Sequence, residues 1–299
     1  MRSLHLSKAI ALGALALGAA GLSQTASAHP SLKVPSTMEG TSIYSGVVIT
    51  HGCTAFTPPK PITGTIQFFP TGENSSGKGP GRLPGVNGGA PTPIQGGVFA
   101  VRKTTDSGSY EVGTQTNLAD EIVSAKGGTT GVTSLAGRFR MVSSHEVFQK
   151  VGSVSRVTAA GATEVMGSWG ALGKLDPTLY AQTEFRANMS GVWLNKDKCA
   201  KSLKVRVPAI DICASDKTGT GKPGLANYWI NSQTPKFNAP DAHGIKPADN
   251  FWMTFTVNRD LVNNPYPESC ANAVKYDVVV TPTFEEIDNW MRIPGQLNN

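Results

Sequence analysis

His29 and the run His51-Gly52-Cys53 are the residues of this chain whose types and placement suit chemistry. Residues 1–28 read as a secretory signal peptide. Arg2 and Lys8 open it, an apolar stretch follows (AIALGALALGAAGL), and Ala26-Ser27-Ala28 is a small-x-small cleavage site. Cleavage after Ala28 makes His29 the first residue of the mature protein. An N-terminal histidine offers two nitrogens, its free α-amine and its ring Nδ1, which close a small chelate ring on one metal ion. Copper(II) suits such a pair, because it prefers nitrogen ligands in a square arrangement. His51 is the candidate third nitrogen. It follows a β-branched run, Gly52 permits a tight turn after it, and a disulfide at Cys53 would pin the corner. The plain alternatives are chance occupancy of the mature terminus by His29 and a backbone-bonded, strand-end His51.

Further ligand types are scattered. His145 and His243 are candidates by type to complete a site, as are the thioethers of Met38, Met141 and Met166, whose softness suits copper(I). Met141 reads better as a flexible apolar filler of a core. His243 lies in a proline-rich stretch (APDAHGIKP), where an exposed, unpartnered side chain is the plain expectation. Four cysteines, Cys53, Cys199, Cys213 and Cys270, follow an export signal, so two disulfides are expected. Three connectivities are open.

The elements that must hold these residues read as strands. Residues 45–50, 64–69, 98–102, 135–142, 151–158, 204–207, 251–257 and 275–281 carry β-branched or alternating apolar patterns. In 251–257 the alternation is clearest: Phe251, Met253, Phe255 and Val257 share one face. One short helix is expected at 118–126, capped by Asn117, and a further helical turn at 144–150. Residues 70–97 are too rich in Gly and Pro to pack and read as a long surface loop. Residues 211–249 read as a second irregular stretch, since proline at that density opposes central strands. Short strands with turns between them make an all-β fold, a sandwich or barrel with long irregular loops and little helix. A weak echo joins Cys199-Ala-Lys-Ser-Leu-Lys and Cys270-Ala-Asn-Ala-Val-Lys.

Composition narrows the function classes. Gly (33) and Pro (20) are plentiful, which favours a loop-rich β protein. The formal charge of +6 is scattered, and Arg2 and Lys8 contribute part of it, so nucleic acid is not an expected partner. After the signal no apolar run approaches the ~18 residues of a membrane span. There is no G-x-S-x-G elbow, phosphate loop, H-E-x-x-H or dinucleotide fingerprint. The acidic pairs Asp120-Glu121 and Glu285-Glu286 are adjacent, and neighbours on a strand point to opposite faces.

From His29 to about Pro70 the chain resembles the start of the YcnI-type periplasmic copper-binding domain. The resemblance rests on an N-terminal His29, Gly40, Tyr44, a β-branched strand, His51-Gly52-Cys53 and a following strand that ends in Pro70. It implies an immunoglobulin-like β-sandwich that holds copper through the terminal histidine, with a carboxylate and a tryptophan close by, for which Glu39 and, by type only, Trp169 and Trp193 are the candidates. The expectation is therefore a periplasmic, secreted or cell-surface protein: a signal peptide (1–28) and one β-sandwich domain with loop insertions (29–299). It captures, stores or delivers copper through His29 and His51, with another periplasmic or membrane copper protein as its exchange partner. Aromatic content of 7% favours binding over oxidation. The competing expectations are a copper oxidase of the lytic polysaccharide monooxygenase type, and a metal-free structural or surface-interaction sandwich.

Overall fold

The computed structural model describes residues 30–49, 53, 58–73, 96–104, 110–141, 147–158, 160–214, 223–229 and 253–293. They form an all-β, sandwich-like fold. A four-stranded sheet runs in the order β1 (Ser31–Leu32), β3 (Ser42–Ile49), β11 (Ala181–Asn188), β8 (Phe139–Met141). A six-stranded sheet runs β2 (Ser36–Met38), β16 (Met253–Asn258), β13 (Ala200–Val207), β17 (Tyr276–Thr281), β5 (Gly97–Thr104), β6 (Tyr110–Thr116). Their inward side chains share one core. Val47, Phe139 and Phe185 come from the first sheet, and Leu203, Val205, Phe255, Val257, Val278 and Val280 from the second. Phe255 meets Phe139 edge-on at 5.5 Å between ring centroids, which joins the two layers.

A five-stranded sheet extends this sandwich: β15 (Pro223–Trp229), β14 (Ala209–Ala214), β4 (Ile62–Phe68), β10 (Thr163–Gly173), β9 (Phe148–Val157). Ile66, Phe68, Ile210 and Ile212 on one of its faces pack against Ile287, Met291 and Ile293, in and just after the helix Phe284–Trp290. That helix starts with a capping box, in which Thr283 accepts from the Glu286 backbone N–H and Glu286 accepts from that of Thr283. The Glu286 carboxylate also accepts from the Thr71 backbone N–H (3.0 Å) and hydroxyl (2.7 Å), at the edge of the Gly/Pro-rich stretch. Burial pushes the Glu286 carboxyl up from its ordinary value. A two-stranded ribbon, β7 (Ile122–Val123) with β12 (Trp193–Leu194), completes the described strands.

Several expectations meet their structure directly. Met253, Phe255 and Val257 are buried and alternate with half-buried Thr254, Thr256 and Asn258. Two disulfides are present, Cys53–Cys213 and Cys199–Cys270, and no cysteine is free. The Cys199 and Cys270 segments, similar in sequence, lead into β13 and β17. These lie side by side and parallel, with Leu203 opposite Val278.

Other expectations fail for local reasons. The helix expected at 118–126 is one turn, Leu118–Glu121, because Ile122 and Val123 leave it to pair with β12. Of the strand expected at 135–142, residue 142 lies outside the described residues and Phe139–Met141 is strand, the pattern being broken before it by Gly137 at a positive φ of 70°. The turn expected at 144–150 falls partly outside the described residues, and Phe148 onward is strand. The stretch expected to be irregular from 211 contains the end of β14 and all of β15. The latter is an edge strand with Pro223 as its first residue, where proline is tolerated. The C-terminal helix and strands β10 and β11 were not legible in the sequence pattern.

Candidate metal site

The approach to His29 is fixed by pairing. Ser31 lies opposite Val48 and Leu32 opposite Val47 in an antiparallel register. The segment continues along β3 through a bond from Lys33 N–H to the Gly46 carbonyl (2.9 Å). The Ser45 hydroxyl then accepts from Val34 N–H (2.9 Å) and donates to its carbonyl (2.8 Å). Pro30 is buried. β3 can hold this partner because Val47 and Ile49 drive it into the interior, at 1% and 2% exposure.

The approach to His51 is fixed on both sides. Ile49 and Cys53 belong to one apolar cluster with Ile62, Phe148, Leu175 and Cys213. The disulfide from Cys53 to β14 ties the four-stranded sheet to the five-stranded one. Cys53 is also bridged to Lys60, N–H to carbonyl in both directions (2.8 and 3.2 Å). His29, His51, His145 and His243 lie outside the described residues. Among the described residues no group of three or more His, Cys, Asp or Glu is placed to hold a metal ion.

Glu39 does not join this end of the sheet. β3 rises by six residue steps from Ser42 to Val48, about 20 Å, and Glu39 precedes Ser42. Its carboxylate is 1% exposed and accepts from Leu194 N–H (2.6 Å), Asp260 N–H (2.9 Å) and the Asn264 amide (2.9 Å). It closes the sandwich edge where the chain crosses from β2 to β3. Beside it, the Arg259 guanidinium donates to the carbonyls of Ala200, Asn264, Asn195 and Lys198 and sits 5.1 Å from the Tyr266 ring centroid. Desolvation lowers the Arg259 pKa, and the nearby Glu39 opposes that shift.

The tryptophans are likewise committed to packing. Trp193 lies against Gly40, where a Cβ would come within 2.2 Å of its ring, so Trp193 belongs to the Glu39 end. Trp169 packs with the Ile66–Phe68 cluster, and Gly152 makes room for its indole. Met166 is buried and Met141 packs against the main core, while Met38 is partly exposed. The Glu39–Asn264–Arg259 group was not read from sequence. Glu39 and Asn264 are 225 residues apart, and no local spacing signals the group.

No protein-family model matches this chain, and no curated protein matches it.

Proposed function

We propose that this is an exported copper-binding protein that captures, stores or hands on copper. The metal is held by the α-amine and Nδ1 of His29 at the mature terminus, with His51 as a further nitrogen. The observation that carries this reading is the β1–β3 register. Ser31 opposite Val48 means that the chain leaves one end of this ladder twice, two residues from His29 on one strand and three from His51 on the other. Both exits are anchored, by buried Pro30 and by the Ile49–Cys53 cluster. Two disulfides fit an oxidising compartment. The resemblance of residues from His29 to Pro70 to YcnI-type domains supplies the choice of metal. Another periplasmic or membrane copper protein is the exchange partner.

Copper(II) titration of correctly processed protein tests this, beside a version carrying one extra residue before His29. The extra residue turns the α-amine into an amide and leaves the ring intact. Binding should weaken by more than about tenfold, 1.4 kcal/mol, and His29→Ala should match it. Affinity of the native form should fall below neutral pH. The amine (about 7.7–8.0) must shed its proton to bind, and it should fall again as imidazole protonates near about 6.5. Equal binding by native and extended forms would overturn the reading.

A further inference from the structure

The outward face of the four-stranded sheet collects charges that the sequence scatters. Arg186 on β11 lies directly opposite Arg140 on β8 and, on its other side, opposite Tyr44 on β3. The three side chains form one row across neighbouring strands about 4.8 Å apart. Tyr44 is 69% exposed, both arginines are exposed, and the Arg186 guanidinium carbon sits 6.0 Å from the Tyr44 ring centroid. Lys33, exposed and bonded through its backbone to Gly46, adds a third cation at the sheet edge.

Two like charges directly opposite on antiparallel strands destabilise a sheet. A purely structural row would set an acid opposite one arginine rather than a second arginine. Among the described residues neither arginine has an ion pair. Glu184, the acid nearest along β11, accepts instead from the Gln182 amide (3.3 Å). The next row offers a hydroxyl and an amide, with Ser42 donating to Asn188 Oδ1 at 2.9 Å.

We propose that this face is a docking surface for a linear, carboxylate-bearing polysaccharide. The forked guanidiniums of Arg140 and Arg186 suit bidentate pairing with carboxylates. The Tyr44 ring offers a flat apolar body for the C–H face of a sugar with a polar tip for its hydroxyls. Ser42 and Asn188 provide hydrogen-bonding groups of the kind a polyol needs. The spacing of the row is comparable to one pyranose unit. The disulfides fit an oxidising compartment, where acidic glycans are among the polyanions within reach. This surface stands apart from the copper reading and does not depend on it.

The test uses the full mature chain, with polygalacturonate, its uncharged methyl ester, and polyphosphate as probes at low salt. Polygalacturonate should bind, and methyl esterification should abolish binding. Arg140→Gln, Arg186→Gln and Tyr44→Ala should each weaken it about tenfold. The Arg140→Gln protein should melt no lower than the parent, because it loses a like-charge contact, so weaker binding cannot be ascribed to unfolding. Absence of polygalacturonate binding overturns the proposal, as does binding that is indifferent to Arg140→Gln and Arg186→Gln. Polyphosphate binding as tight as polygalacturonate and insensitive to Tyr44→Ala would show a generic polyanion surface and overturn it too.

Discussion

At the Ser42 end of β3 the fixed groups are polar. Glu39 takes three donors, Arg259 reaches four carbonyls, and Asn264 also donates to the Leu194 carbonyl at 2.8 Å. At the Ile49 end the fixed groups are apolar and covalent: Ile49, Ile62, Phe148, Leu175 and the Cys53–Cys213 bond. A buried carboxylate and a buried guanidinium are tolerable only when nearly every lone pair and proton has a partner. That saturation leaves the Glu39 end no capacity for a ligand. An apolar, cross-linked corner makes no such demand on the residues next to it. The two ends of one strand thus divide the work, one closing the sandwich edge and the other holding the chain on either side of His51.

The largest expected effect falls on the covalent end. Opening Cys53–Cys213 with a pair of Cys→Ala changes frees a closure of 160 residues, worth about 5 kcal/mol in the chain-entropy account. Opening Cys199–Cys270 frees 71 residues and should cost somewhat less, about 4 kcal/mol. Denaturant unfolding of the two double variants gives the order. A reversed order would mean that native packing around Cys199, not chain entropy, sets the balance.

Next comes the polar end. Glu39→Ala strands two backbone N–H groups and the Asn264 amide in the interior, at about 3 kcal/mol. A loss below about 1 kcal/mol in the same assay would show that water reaches the group and that the edge is not sealed. Gly40→Ala should cost about 2 kcal/mol, because φ is +71° and the new Cβ would strike the Trp193 ring. A double-mutant cycle with Trp193→Leu separates the two causes. Relief of most of the loss assigns it to the ring, and persistence assigns it to the backbone.

Sequence reasoning reached some strands by alternation, and others, the fully buried β4 and β17 among them, by their β-branched runs. β16 shows its period of two because one face meets the core and the other does not. It missed β14, where all six residues are buried and no alternation survives. It missed the shortness of the first helix because Leu118 and Ile122 are both buried, as an amphipathic helix would have them, while pairing with β12 claims Ile122. The even cysteine count called for two disulfides, but the pairing needed the parallel contact of β13 with β17, a tertiary fact. Glu39 was legible as a carboxylate near His29 in sequence. The antiparallel return of β3 puts the full strand length between the Glu39 turn and the Ser31–Val48 end of the ladder.

The smallest expected effect sharpens the comparison most. If the two ends of β3 are separate in function as in construction, a change that damages one should leave the other's chemistry untouched. Glu39→Gln is the suitable probe. It keeps an oxygen for Asp260 and Asn264 and removes the charge and the acceptor facing Leu194 N–H. The variant should lose some stability, about 1–2 kcal/mol, and remain folded. On the proposed reading its copper(II) affinity, stoichiometry and electron paramagnetic resonance spectrum should match the parent's. His51→Ala should alter the spectrum at unchanged stability, because its anchors, Ile49 and Cys53, are intact. A changed copper spectrum in Glu39→Gln would couple the two ends and defeat the division drawn between them. An unchanged spectrum in His51→Ala would remove the third nitrogen and leave His29 to hold the metal without it.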